Sequence, residues 1–224
     1  NIRSEIMRRF EDLCRFEDDT KFSIAVVGGG PTGVEMAGAI AELKRGPLNS
    51  DNAQAAKNIS VYLIEAGPRL LPSLSEKLSI RTKKDLEKLG VTVLTQAAVA
   101  EVKPRQILFS DGTSIPAEVT IWAAGVKGEP AMKALALPQD GIRIAVDKSL
   151  QVSNYPYVFA IGDIAGAKAK DGKYLPMVAP VAMQQARFVA KQIARIIKNE
   201  PLKEFSYIDK GSMATIGRHK AVVE

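Results

Sequence analysis

Residues 22–33 read FSIAVVGGGPTG, and residues 34–43 continue as VEMAGAIAEL. Phe22 to Val27 is a short apolar run closed by glycine, which predicts a buried strand. The stretch from about Thr32 to Lys44 reads as a helix. Between them lie Gly28, Gly29, Gly30, Pro31, Thr32 and Gly33. A strand that feeds a helix through G-x-G-x-x-G can cradle a pyrophosphate. Gly28 allows the tight turn, Gly30 lets backbone amides approach the phosphates, and Gly33 lets the helix pack closely on the sheet. The helix N-terminus, with its unpaired N–H groups and positive dipole end, then favours negative charge.

Working outward, VYLIE at 61–65 predicts a second buried strand, and the polar stretch 44–58 between the two reads as a surface loop. Glu65 closes that second strand, where a ribose diol needs an acceptor; a solvated strand-end carboxylate is the plain alternative. It lies further past Gly33 than the usual ~20 residues, and the 44–58 loop accounts for the surplus. A carboxylate there repels a 2′-phosphate, so NADH is expected over NADPH, with Arg69 nearby as a counterweight. Glu35, one turn into the helix, has two open readings: a carboxylate close to the cofactor, or a favourable charge near a helix N-terminus.

A helix over about 75–89, with Leu78, Leu86 and Leu89 inward and Gly90 as its stop, leads to a strand at 91–94. The resulting βαβαβ pattern is a mononucleotide-binding half with parallel, right-handed crossovers. Alternation from Val99 to Phe109, with turns at Pro104-Arg105 and Asp111-Gly112, predicts an antiparallel interruption. Val119 to Trp122 then returns to the sheet and runs into Ala123-Ala124-Gly125. Residues 2–17 read as an amphipathic helix, and 127–141 as a connection between domains. Tyr157 to Ile161 reads as a buried strand ending in Gly162-Asp163. Ala179 to Lys198 reads as a helix bearing Val181, Phe188, Ile193, Ile196 and Ile197, and Ala214 to Gly217 as one more strand.

The composition, 46% hydrophobic and 25% charged, is that of an ordinary globular protein. The net charge of +6 is spread along the chain rather than gathered in a Lys/Arg block, so no nucleic-acid partner is expected. A single cysteine, Cys14, leaves no internal disulfide or dithiol chemistry. No metal site is expected. No run of ~18 apolar residues predicts a membrane-spanning helix, and no signal peptide is evident. Asn1 and the polar helix that follows suggest a chain that starts inside a longer polypeptide.

The phrases VVGGGPTGVEMAGAIAEL, VYLIEAGPRLLP, TIWAAGV, VFAIGDIAG and LPMVAPVAMQQARFVAKQI, in that order, resemble the type II NADH dehydrogenase family. Its members are NADH:quinone oxidoreductases of the two-dinucleotide-binding-domain flavoprotein superfamily. The first two phrases are shared across the superfamily, and the last is more particular to this family. The resemblance implies an α/β fold: a Rossmann-like three-layer NAD(P)-binding domain with an antiparallel β insertion, plus the C-terminal part of a second, FAD-binding Rossmann-like domain. The division expected is a connecting helix at 1–19, the NADH-binding domain at 20–126, and the C-terminal part of the FAD-binding domain at 127–224.

The same resemblance implies that Gly28, Gly30, Pro31, Thr32, Gly33, Glu65, Ala124 and Gly125 bind NADH, and that Glu35 is the catalytic candidate near the nicotinamide. Gly162 and Asp163 would hold the ribityl chain of FAD, an N-cap being the plain reading of Asp163. The helix starting at Ala179 would point its N-terminus at the flavin pyrimidine edge, and Gln184 and Gln185 would border the quinone. Pro180 and Ala186 depart from the Gln and Gly common in the family. NADH would pass a hydride to FAD, and two electrons would go on to a membrane quinone.

Family members also carry a first FAD glycine motif and membrane-anchoring helices, which this sequence lacks. The chain alone is therefore expected to bind NADH without retaining FAD. The whole protein is expected at the cytoplasmic side of a membrane as a peripheral protein, with a homodimer among the expectations. Sulfide:quinone and disulfide reductases need redox cysteines, against which the single Cys14 argues. Ferredoxin or nitrite reductase types, and a non-catalytic NADH-binding redox sensor, stay open. The face bearing Arg187, Lys191 and Arg195 has a membrane reading beside that of a solvated surface.

Overall fold

The computed structural model describes residues 1–16, 21–126 and 135–224. They fall into two units, Asn1–Gly125 with Gly211–Glu224, and Val126–Lys210.

In the first unit run α1 (Ile2–Phe16), β1 (Phe22–Val27), α2 (Pro31–Leu43), the short helices α3 (Asn49–Asp51) and α4 (Ala53–Lys57), β2 (Ile59–Ile64), α5 (Glu76–Lys88) and β3 (Val91–Leu94). An antiparallel insertion follows, β4 (Val99–Lys103), β5 (Gln106–Phe109) and β6 (Ser114–Pro116). Then β7 (Val119–Trp122) rejoins a parallel sheet of order β3-β2-β1-β7. β1 is buried throughout because it is central and covered on both faces. Ile24 and Val26 pack with Val34 and Ile40 of α2 and Leu86 of α5, whereas Ala25 and Val27 pack with Ile107 and Phe109 of β5. The period-2 alternation of a strand thus divides one apolar run between two cores. Helices, parallel sheet and antiparallel sheet are the three layers expected.

The 44–58 stretch differs from its loop reading. A π-type turn at Lys44–Leu48 continues α2, and α3 and α4 follow. Leu48, at the end of the π-type turn, and Ala55 and Ala56 of α4 are buried in the main core. Asn52 caps α4, its side chain accepting the Ala55 N–H at 2.9 Å. Three short turns broken at the extended Asn52 carry no long apolar period, and the polar residues around them read as loop.

In the second unit, β8 (Gln139–Asp140) pairs with β9 (Arg143–Ile144), and β10 (Gln151–Val152) with β11 (Tyr155–Phe159), both antiparallel. A 3₁₀ turn at Gly162–Ile164 and α6 (Ala179–Ile197) follow. The buried strand expected at 157–161 is instead this exposed β11, with Tyr157 81% exposed. Its only ladder partner among the described residues is the two-residue β10, joined by a tight turn with Asn154 at φ 68°. Along α6, Val181 and Val189 pack with Leu150, Ala167 and Leu175, and Phe188 meets the edge of Phe205. Ile193 and Ile197, expected among its apolar residues, face outward.

The chain closes with a hairpin, β12 (Met213–Ile216) and β13 (Lys220–Val223). Ala214, Ile216 and Val222 enter the core of the first unit, so Gly211–Glu224 belongs there rather than with the 127–224 segment of the sequence reading. These alternating apolar residues need a helix face to cover them, and α2 supplies it. Residues 127–134 of the expected connection, and the expected limits at 19, 20 and 127, lie outside the described residues.

Candidate functional site: the glycine turn and its neighbours

β1 leads into the glycine turn, whose glycines stand in different surroundings. Gly28 sits at φ 116°, and a Cβ there would lie 2.8 Å from the Ala123 carbonyl carbon. A Cβ on Gly33 would lie 1.8 Å from the Gly28 carbonyl oxygen, which places the first turn of α2 on the backbone of the loop. Gly30, at φ −73°, meets nothing within 4 Å. No protein atom within 4 Å requires glycine at 30. Pro31 occupies the first turn of α2, where its missing N–H costs nothing, and Pro31 and Thr32 are exposed. The uncapped amides here, beside a glycine with open space in front, fit a dinucleotide pyrophosphate.

Glu65 stands at the end of β2 beside this turn. Its Oε2 accepts the Gly29 N–H at 2.6 Å and its Oε1 the Gly67 N–H at 2.6 Å. The Leu71 N–H donates to the Gly29 carbonyl at 2.8 Å, and a Cβ on Gly29 would lie 2.7 Å from Leu70 Cδ2. The carboxylate therefore ties two loops together. Gly29, Gly67 and Leu71 were missed by sequence reasoning. The middle glycine of a GGG run, and a glycine two residues past a strand-end Glu, were the available signals. Arg69 donates to the Leu74 carbonyl at 2.6 Å and the Pro72 carbonyl at 2.8 Å.

At the end of β7, Ala124 is half-buried, and exposed Gly125 takes φ 75°. The Trp122 indole N–H donates to the Ala124 carbonyl at 2.7 Å, fixing this turn. Glu35 is exposed on α2, and its Oε1 accepts the Thr215 N–H at 3.2 Å. One helical stripe, Glu35, Gly38 and Glu42, meets the hairpin. A Cβ on Gly38 would lie 2.8 Å from the Gly217 nitrogen, and Glu42 accepts the Arg218 N–H at 2.8 Å. The hairpin reaches α5 as well. Lys220 donates to the buried Asp85, a bond that holds the Asp85 carboxyl below the usual carboxylate range against the opposing effect of burial. Glu224 accepts the Ser75 N–H at 2.8 Å.

The second unit brings Gly162 and Gln185 together. Gly162 has φ 72°, and its N–H donates at 2.6 Å to Oε1 of Gln185, which is 1% exposed. Asp163, in the same turn, is exposed, and Ala179 opens α6 with no side-chain cap. A positive-φ glycine, an exposed carboxylate and an uncapped helix start form a donor and acceptor set that fits a flavin nucleotide. Gln184 turns elsewhere, accepting the Ile208 N–H at 3.0 Å and donating to the Ile208 carbonyl at 2.9 Å. The amides expected at the quinone are thus both bonded to backbone. Among the described residues, no group of three or more His, Cys, Asp or Glu could hold a metal ion.

Residues 4–186 match the sequence model of the pyridine nucleotide-disulphide oxidoreductases. The chain is similar to the type II NADH:quinone oxidoreductase of Haemophilus influenzae, with 35% identity over 92% of this chain and 47% of that protein. It is also similar to the internal alternative NAD(P)H-ubiquinone oxidoreductase A1 of Solanum tuberosum, with 36% identity over 89% of this chain and 42% of that protein. The chain thus spans about half the length of the curated relatives it matches. The solved structure of NDH2 from Plasmodium falciparum in complex with NADH has the same fold. Its TM-score is 0.86 at 21% identity, covering 96% of this chain and 60% of that one.

Proposed function

Since the chain belongs to the pyridine nucleotide-disulphide oxidoreductase family, we propose that the whole protein takes a hydride from NADH and passes two electrons to a quinone. FAD supplies the hydride acceptance and the electron transfer; the residues of this chain bind, orient and exclude. The observation that carries the reading is Gly30, whose open front serves no purpose of packing. The names of the relatives support the quinone.

In this reading Gly28, Gly30, Pro31, Thr32 and Gly33 receive the pyrophosphate, Glu65 the ribose, and Ala124 and Gly125 the nicotinamide side, near Glu35. Selection against NADPH has two supports. The Glu65 carboxylate is held in place by two amides, and Arg69 is committed to carbonyls rather than free for a 2′-phosphate. Gly162, Asp163 and the start of α6 at Ala179 receive FAD. Gln184 and Gln185 border the quinone by holding the backbone at Ile208 and Gly162.

The domain roles follow: NADH binding for 20–126 with the closing hairpin, and FAD binding for the second unit. Peripheral attachment at the cytoplasmic face of a membrane, and a homodimer, are carried by the resemblance and by the lipophilic substrate. No helix among the described residues is long and apolar enough to cross a membrane.

The test is NADH oxidation by the whole protein with a soluble quinone, alongside NADH titration. Turnover supports the enzyme, whereas binding without turnover sinks it in favour of a sensor. Cosedimentation with anionic vesicles tests the attachment.

A further inference from the structure

An exposed Glu side chain samples many rotamers, yet Glu35 has a fixed donor in the Thr215 N–H. At 3.2 Å and exposed, this bond is a modest one. It selects rotamers in which Oε1 faces β12, and leaves Oε2 without a protein partner among the described residues. The donor itself is held firmly. β12 pairs with β13, buries Ala214 and Ile216, and meets α2 backbone to backbone at Gly38 and Gly217. Arg218–Glu42, Lys220–Asp85 and Ser75–Glu224 fasten the rest of the hairpin to α2 and α5. Packing alone needs the apolar residues only. Glu35 is the contact whose acceptor also lies one turn from the start of the helix that carries the glycine turn.

We propose that the Met213–Val223 hairpin is a positioning element for the nucleotide site, its Thr215 backbone N–H fixing the Glu35 carboxylate at the nicotinamide end. The proposal rests on the NADH reading above. Thr215 acts through Glu35 and touches no ligand itself. The hairpin, which follows the second unit in the chain, thereby completes the site of the first.

The test compares four variants of the whole, flavin-loaded protein. Thr215→Pro removes the donor, and Thr215→Ala keeps it. Gly38→Ala improves the helix but drives a Cβ into Gly217, and so displaces the hairpin should the proline variant fail to fold. Glu35→Ala removes the acceptor. Flavin reduction by NADH is expected to slow on the order of tenfold in Thr215→Pro, Gly38→Ala and Glu35→Ala, as a misplaced catalytic group does. Thr215→Ala should behave as the unaltered protein. The NADH dissociation constant should stay within about twofold, since the pyrophosphate and ribose contacts remain. Independently of activity, amide exchange at the segment around Thr215 should quicken about tenfold in Glu35→Ala.

Equal slowing in Thr215→Ala and Thr215→Pro would overturn the proposal, because packing rather than the amide would then be responsible. So would unchanged exchange in Glu35→Ala, or slowing only in parallel with weaker NADH binding. Failure of the unaltered protein to bind or oxidise NADH overturns the underlying reading instead, and is seen before any variant is made.

Discussion

Glu65 and Gly29 are joined by a 2.6 Å bond from the Gly29 N–H to Glu65 Oε2, so the carboxylate at the end of β2 organises the glycine turn, beside the ribose role proposed for it. Its other oxygen holds Gly67. Two roles in one residue predict two separable losses. Glu65→Gln keeps one carbonyl acceptor but loses the charge, and should narrow the preference for NADH over NADPH. Glu65→Leu orphans both amides, each bond to a charged acceptor being worth about 1.5–3 kcal/mol. It should weaken NADH binding at least about tenfold. Titration with both nucleotides checks this; unaltered discrimination in Glu65→Gln counts against the ribose role.

The glycines should separate folding from binding. Gly33→Ala places a Cβ against the Gly28 carbonyl, and should lower stability by about 1–3 kcal/mol, as overpacking does. Gly30→Ala has room and an ordinary φ, so thermal unfolding should be unchanged while NADH binding falls about tenfold or more through collision with the pyrophosphate. Full NADH affinity in Gly30→Ala would remove the observation on which the functional reading stands.

In the second unit, Gln185→Leu tests whether the buried amide serves the Gly162 turn. The variant leaves the Gly162 N–H without its acceptor, at a cost of about 1–3 kcal/mol. Denaturant unfolding should register that loss, and flavin should be retained less well. Unchanged stability together with a raised quinone KM would instead return Gln185 to direct quinone contact.

The parts legible in the sequence are local. Phe22–Val27 and the glycines declare strand, turn and helix within a dozen residues, and Glu65 is visible because a strand end is visible. What escaped was long-range or concealed by composition. Glu35 and Thr215 are 180 positions apart, and no periodicity announces a backbone amide as a partner. Gln185 read as a polar group available to a ligand, because nothing in its neighbours foretold burial against Gly162. β11 has the composition of a buried strand, yet burial depends on what pairs with it, and β10 supplies only two residues.

Asp85 is 6% exposed, and its carboxyl is held below the usual range chiefly by the hydrogen bond from Lys220, burial acting against this. A carboxyl with a depressed pKa in the folded state contributes stability above its unfolded value, about 3.9, and that contribution is lost as pH falls through the folded value. Lys220→Ala removes the main donor and leaves Arg81, 3.6 Å away, and the more distant Lys88 as cations acting on Asp85. At neutral pH the variant should be less stable by about 1–3 kcal/mol, because a buried carboxylate loses its hydrogen bond. The gap should stay constant down to about pH 5 and narrow below about pH 4 as Asp85 takes up a proton in the folded variant before it does so in the folded unaltered protein. Urea unfolding across that range measures it. A gap that persists undiminished to about pH 2, below the titration range of carboxylates, would assign the loss to the Lys220 methylenes packed on the hairpin rather than to the ion pair.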